Sequence, residues 1–384
     1  MPGFFAMRGG GIFGAILNAA VLNNAIIKKM SKKVFVAMSG GVDSSVAAAL
    51  LLKEGHEVVG LTMCFNLAEK EGGKPSCCGL SGLEDARRVA HKLGIPHYVI
   101  NLDREFSRKV VDNFFKEYIL GRTPNPCVRC NQFIKFDSLL RRAFCLGGDF
   151  LATGHYARII KTPHGLILGK GRDHLKDQSY FLYRLRQWQL KKIIFPLGIY
   201  NKQQVRKMAV DLGLGVADKQ DSQEVCFLPP EGYAGLVNGR YPGRVHPGHL
   251  VDKDGNVLGE HRGVAFYTIG QRQGLGVARG YPLYVTRIDP KRNIVVAGPR
   301  REALKKEFTV KDPCFPGQPF KKKVEIGVKI RYNHKESLAE AYPVKSKLKI
   351  RFKNPQFAVT PGQSAVFYRG DKVLGGGIIE KVLG

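Results

Sequence analysis

Six contiguous residues, Ser39, Gly40, Gly41, Val42, Asp43 and Ser44, combine two adjacent glycines with two hydroxyls and a carboxylate. Adjacent glycines let a backbone turn tightly and aim its N–H groups at a phosphate, above all where a helix begins. The phosphate loop used for γ-phosphoryl transfer ends in Lys followed by Ser or Thr, and this run lacks both, which points to cleavage elsewhere in a nucleotide. The second group of chemistry-bearing residues is sulfur. Asn125, Pro126, Cys127, Val128, Arg129, Cys130 and Asn131 place two thiols in a C-x-x-C spacing, and a third thiol, Cys226, stands far downstream before Phe227. A structural zinc site would need a fourth ligand, and no second C-x-x-C or His pair supplies one. Disulfide exchange needs only two thiols. Cys64, Cys145 and Cys314 are expected to be buried and inert.

The elements that must position these groups alternate in type. Val34 to Met38 is an apolar run fit for a buried strand, and Ser45 to Lys53 carries Ala and Leu at helical spacing, so the glycine run reads as strand, loop, helix. A strand at Glu57 to Met63, a loop with Cys77 and Cys78, a helix at Leu83 to Leu93 and a strand at His97 to Leu102 follow. Helix Phe133 to Phe144, strand Phe150 to Thr153 and helix Lys202 to Leu212 continue the pattern. Such alternation predicts an α/β domain, a parallel sheet covered by helices on both faces, over residues 31–229. Beyond Pro229 glycine and proline punctuate short β-like runs, Val264 to Ile269 and Tyr284 to Ile288, which predicts a small β-rich domain over 230–305. Alternating segments at Lys323 to Tyr332, Ser346 to Phe352 and Ser364 to Arg369 predict a β-barrel over 306–384.

With 384 residues the chain is too long for one core, and 44% hydrophobic residues suffice for several. Lys and Arg total 61 against 32 Asp and Glu, a formal net charge of +29, which suits a polyanion such as nucleic acid. From Lys306 onward sixteen basic and seven acidic residues leave +9 on the last module alone. Eight cysteines are too sparse for a disulfide scaffold, so a reducing, cytoplasmic setting is expected. The apolar stretch Ile12 to Ile27 is broken by Asn18, Asn23 and Asn24 and is too short to span a bilayer, so no membrane partner is expected and residues 1–30 read as a dispensable extension.

The glycine run resembles the pyrophosphate loop of the PP-loop ATPases, which cleave ATP between the α and β phosphates and leave an adenylated substrate. Around it, NPxxxCN at 125–131, ATGHY at Ala152 to Tyr156, KDQSYFL at Lys176 to Leu182, SxxxCF at Ser222 to Phe227 and TPGQSAVFY near the end occur in the order and spacing found in tRNA-specific 2-thiouridylases. The resemblance runs from about Lys33 to the C-terminus. It implies that Ala37, Met38, Ser39, Gly40, Gly41, Val42, Asp43, Ser44, Met63 and Gly154 bind ATP with Mg2+. It implies that the C2 oxygen of a wobble uridine is adenylated and replaced by sulfur. Cys226 would carry that sulfur as a persulfide and Cys130 would be its partner thiol, with a low thiol pKa expected from the basic surroundings. Asn125, Pro126 and Cys127 would touch the target base, and His155, Lys176, Asp177, Gln178, Arg331, Tyr332 and Gln363 the rest of the tRNA.

One departure bears on the chemistry: where the family commonly has aspartate, this chain has Cys127. Cys127, Cys130 and Cys226 could instead hold three irons of a [4Fe-4S] cluster and leave the fourth iron to hydrosulfide. The sulfur source is accordingly either a persulfide-carrying or cysteine desulfurase relay protein, or hydrosulfide. A non-catalytic RNA-binding protein on the same fold, or another PP-loop enzyme, is the alternative, against which the intact loop and the paired cysteines argue.

Overall fold

The computed structural model describes residues 31–65, 80–220, 225–228, 235–237, 241 and 243–383. The N-terminal extension, Cys77, Cys78, Ser222 and the first proposed domain boundary therefore lie outside the described residues.

Five parallel strands form the first sheet: β1 (Lys33–Ala37), β2 (Glu57–Cys64), β3 (His97–Asn101), β4 (Phe150–Thr153) and β7 (Ile193–Ile194), in the order β3-β2-β1-β4-β7. In β1, Phe35 enters one apolar core while Val34 and Val36 enter another, which is the period-2 alternation of a strand buried on both faces. Helix α1 (Val42–Lys53) covers the second core with Val46, Ala47 and Leu51, joined there by Val205 and Ala209 of a later helix, Lys202–Asp211. The opposite face is covered by two helical segments, 103–119 and 126–145, through Phe106, Val110, Phe115, Ile134, Phe136 and Leu139. Truncating a side chain as enclosed as Phe35 would cost about 3–5 kcal/mol.

The helix over 126–145 begins earlier than the periodicity from Phe133 indicates. Asn125 caps it, its Oδ1 accepting from the Val128 N–H at 3.1 Å, and Pro126 fills the first turn, where a missing N–H costs nothing. Wider, π-type turns follow at Asn131–Leu139.

The central module is a four-stranded sheet, β8 (Gly248–Val251), β9 (Val257–His261), β10 (Tyr284–Asp289) and β11 (Ile294–Gly298), in the order β10-β11-β8-β9. Val264 to Ile269 is not a strand as expected from its composition. Gly263, at φ +135, turns the chain into a single 3-10 turn, Val264–Phe266, and Val264, Tyr267 and Ile269 enter the core as separate anchors.

The last module closes. Strands β12 (Leu304–Cys314), β13 (Val324–Lys329), β14 (Ser337–Val344), β15 (Lys347–Phe357), β16 (Ser364–Arg369) and β17 (Lys372–Leu383) run in the order β12-β15-β14-β13-β16-β17, and β12 pairs with β17 to complete a six-stranded barrel. A hairpin from the first module, β5 (Ala157–Thr162) and β6 (Gly165–Lys170), extends that sheet by pairing Gly169 with Lys372.

Of the cysteines expected to be buried, Cys145 is exposed and Cys64 and Cys314 are half-buried, Cys64 being disulfide-bonded. Cys145 ends its helix on the solvent side, beyond the last apolar positions Leu140 and Ala143.

Candidate active site

Residues Ser39 to Ser44 leave the C-terminal end of β1 and enter α1, so the glycine run sits where parallel-sheet proteins bind ligands. Gly40 adopts φ +70 and lies so close to the Gly82 carbonyl that a side chain there would collide with it. Gly41 caps α1 without a side chain, leaving the first-turn N–H groups to an incoming anion. Ser44 Oγ accepts from the Ser39 N–H at 3.2 Å and donates to the Gly41 carbonyl at 3.2 Å, which closes the loop on itself. The Met38 N–H donates to the Leu61 carbonyl, tying the loop's root to β2, whose end carries Met63. Ala37 is the last residue of β1. Gly154, just past β4, abuts the loop backbone: a methyl group there would lie 2.7 Å from the Asp43 carbonyl carbon and the Ser44 nitrogen.

Two lysines that no motif announces meet this loop. Lys202 Nζ donates to both carboxylate oxygens of Asp43, at 2.8 and 2.9 Å, and Tyr156 adds its hydroxyl to Oδ1 at 2.7 Å. Lys219 Nζ donates to the Gly40 carbonyl at 3.2 Å and to Asp85 at 2.6 Å. The loop thus offers backbone donors, hydroxyls and two ammonium groups, the donor set that a triphosphate needs.

The sulfur groups lie nearby. Cys127 and Cys130 occupy the first turns of the helix over 126–145, three residues apart and so on neighbouring positions of one face. Phe227, next to Cys226, seats edge-on against Phe106 at 5.6 Å and Phe114 at 5.2 Å, anchoring the third cysteine to the core beneath. Cys127 and Cys226 both touch solvent, yet each is recessed among protein atoms. Burial pushes the Cys127 thiol up to about 11, the neighbouring Cys226 adds to the rise, and Lys135 opposes it. Cys226 is likewise raised by burial and eased by Lys135. At both positions desolvation outweighs the one nearby cation. Among the described residues no three Cys, His, Asp or Glu side chains converge as metal ligands.

Lys135 also acts on His155, whose ring lies 5.8 Å from Phe136 and 6.0 Å from Phe195 and accepts or donates a 2.6 Å bond with Thr153. His155 follows Gly154, which abuts the nucleotide loop. Two consecutive residues after β4 thus join the phosphate-binding and sulfur-bearing regions.

Residues 32–230 match the tRNA methyl transferase HUP domain family, 240–299 its PRC-barrel domain and 305–379 the aminomethyltransferase beta-barrel domain. The tRNA-specific 2-thiouridylase MnmA of Clostridium acetobutylicum is 48% identical over 358 residues, covering 91% of this chain and all of that protein. The chain belongs to the tRNA-specific 2-thiouridylase family. MnmA 2 of Clostridium tetani is 49% identical over 358 residues, covering 91% of this chain and 99% of its own. Among solved structures, U34-tRNA thiolase NcsA from Methanococcus maripaludis, with its [4Fe-4S] cluster, aligns over 60% of this chain and 75% of its own at 18% identity and a TM-score of 0.37, too slight a likeness to transfer anything.

In this 2-thiouridylase several residues expected at the RNA surface are committed inside the protein. Asp177 is buried and accepts from the Gly171 and Ser179 N–H groups at 3.0 and 3.1 Å and from the Ser179 hydroxyl at 2.9 Å. Gln178 Oε1 accepts from the Tyr156 N–H at 3.0 Å, which sets the tyrosine that reaches Asp43. One Arg331 nitrogen donates to the carbonyls of Ile269 and Ala358 and to the Thr360 hydroxyl, bracing the barrel against the central module. His155 is held well below its ordinary pKa by burial and Lys135, so its ring is neutral and offers no charge to a phosphate. Lys176 is half-buried in the turn beside the fully projecting Leu175, and Tyr332 packs against Phe181 at 4.6 Å. Lys135, Tyr156, Lys202 and Lys219 are the functional candidates missed by sequence reasoning. Only Tyr156 carried a signal, as the last residue of the ATGHY run.

Proposed function

We propose that this protein uses ATP to adenylate the C2 oxygen of a tRNA wobble uridine and then installs sulfur there through Cys226 and Cys130, giving 2-thiouridine. One observation carries the reading: Gly154 packs on Asp43 and Ser44 of the nucleotide loop while the adjacent His155 shares Lys135 with Cys127 and Cys226. An adenylating site and a thiol site with a common border suit a reaction whose first step activates the atom that the second displaces.

The loop N–H groups, Ser39 and Ser44 would bind the pyrophosphate portion, with Lys202 and Lys219 at its edges. Magnesium, when bound, would neutralise that charge, with Asp43 and the loop hydroxyls as the oxygen donors on hand. The uridine oxygen attacks the α-phosphorus, pyrophosphate leaves, and the poor leaving group becomes AMP. The outer sulfur of a Cys226 persulfide then attacks C2 and displaces AMP, and the Cys130 thiolate attacks the Cys226 sulfur, breaking the sulfur–sulfur bond to release 2-thiouridine and leaving a Cys130–Cys226 disulfide that an external thiol reduces. This route needs two thiols and no cluster. A base in a single-stranded loop enters such a recess without breaking a duplex, and the excess of basic residues attracts the surrounding phosphates. The partners are tRNA and a persulfide-bearing protein that passes its outer sulfur to the Cys226 thiol; hydrosulfide would be the donor only for a cluster. Among the described residues no helix is long and apolar enough to cross a membrane.

Nucleoside mass spectrometry on tRNA from cells lacking the gene tests the reading: 2-thiouridine should disappear, and normal levels in the absence of a redundant enzyme would refute it.

A further inference from the structure

Thr123 and Pro124, just ahead of the residue that caps Cys127's helix, are held from outside the module that contains them. The Thr123 N–H donates to the Pro361 carbonyl at 2.9 Å, and its hydroxyl donates to Thr268 of the central module at 3.1 Å. The side-chain amide of Gln363 donates to the Thr123 carbonyl at 3.2 Å and the Pro124 carbonyl at 3.1 Å. Gly362, at φ +93, presses so near that a methyl group on it would lie 2.7 Å from the Thr123 carbonyl oxygen. Gln363 is itself fixed in the barrel: its N–H donates to Thr360 at 3.2 Å and its carbonyl accepts from Ile379 at 2.8 Å. Next in sequence, Asn125 caps the helix that carries Cys127 and Cys130, and Tyr180, which bonds the Ser364 carbonyl at 2.9 Å, also bonds the Asn125 side chain.

Pro124 has no N–H, so this loop cannot be registered by a ladder of its own, and its geometry is imposed by what grips its carbonyls. We propose that Gln363 is a positioning residue for sulfur transfer, its amide clasping the Thr123 and Pro124 carbonyls so that the barrel sets the placement of Cys127 and Cys130. The barrel is then part of the thiol site as well as a basic surface. This rests on the cysteines being the sulfur-transfer thiols.

Gln363→Glu keeps the shape, removes the donors and turns a carboxylate towards two carbonyls. With full-length protein whose melting temperature confirms folding, three quantities are read: tRNA affinity by filter binding, single-turnover thiolation at saturating tRNA, and the rate of Cys127 and Cys130 alkylation by iodoacetamide without tRNA. The expected result is unchanged affinity, thiolation slowed about 10-fold or more, as small misplacements of reacting groups allow, and an altered alkylation rate. If Gln363→Glu does not fold, Gln363→Met, of similar length and uncharged, takes its place with the same expectations. Weaker tRNA binding, with wild-type thiolation at saturation and unchanged alkylation, would overturn the proposal and make Gln363 an RNA contact. Absence of 2-thiouridine with the wild-type protein would instead strike the functional reading beneath it.

Discussion

Lys202 grips both carboxylate oxygens of Asp43, at 2.8 and 2.9 Å, from a helix 159 residues further along the chain. The Lys202 side chain is 11% exposed and that of Asp43 33%, so the lysine is sheltered while the carboxylate keeps part of its contact with solvent. A carboxylate at a phosphate site would repel its ligand unless neutralised, and Lys202 with Tyr156 does this before any nucleotide arrives.

Asp43→Ala should abolish pyrophosphate release and leave tRNA affinity largely unchanged, since the loop handles phosphate and the basic surface handles RNA. Lys202→Met should raise the KM for ATP and lower stability by about 1–2 kcal/mol, below the value for a fully enclosed pair because Asp43 retains solvent. Pyrophosphate release, filter binding and urea denaturation check the set. Wild-type pyrophosphate release from Asp43→Ala would refute the loop assignment.

The Cys127 thiol, pushed up to about 11, stays protonated at neutral pH, and only the thiolate alkylates. Its modification rate should climb roughly tenfold per pH unit from 8 to 10. Lys135→Met removes the cation that favours the thiolate and should slow modification of both Cys127 and Cys226 at fixed pH. Mass-mapped iodoacetamide labelling reads both effects, and a rate that is flat across this range would contradict the assignment.

His56, His97, His155, His261 and His334 all have pKa values lowered by burial. A histidine neutral in the fold but with an ordinary pKa of 6.5 when unfolded binds its proton preferentially in the unfolded chain. Stability should therefore be full above about pH 7 and fall as pH drops from 6.5 to 5, before the carboxylates titrate. Urea midpoints measured at pH 7.5, 6 and 5 would show the decline, and a constant midpoint would contradict it.

The strand–loop–helix around Ser39 to Ser44 was legible because its residues are contiguous and each acts through its own backbone. Lys202, Lys219 and Lys135 were not legible, since each is a single lysine whose meaning comes from a remote segment folded against it. Asp177 and Arg331 stand in recognisable runs, but a sequence does not distinguish a charge offered to RNA from one bonded to backbone carbonyls or N–H groups. The raised thiols were not legible for a similar reason: basic composition is visible in the sequence, whereas the recess around Cys127 and Cys226 is not. Val264 to Ile269 had the composition of a strand, and Gly263 set a turn there instead.

Two thiols suffice for persulfide transfer, whereas a cluster with one open iron needs three. Protein purified without oxygen should contain no stoichiometric iron, and Cys127→Ala should retain substantial activity when supplied with persulfide, while Cys130→Ala and Cys226→Ala are inactive. Stoichiometric iron that is lost together with activity in Cys127→Ala would replace the persulfide route by the cluster.

The most direct measurement is nucleoside mass spectrometry on unmodified tRNA incubated with the purified full-length protein, ATP, magnesium and a persulfide or sulfide source. The account predicts 2-thiouridine at the wobble position with the wild-type protein, and none when ATP is withheld or Cys226 is replaced by alanine. Folded, tRNA-binding wild-type protein that yields no 2-thiouridine with any of these sulfur sources, or yields it equally without ATP, would contradict it.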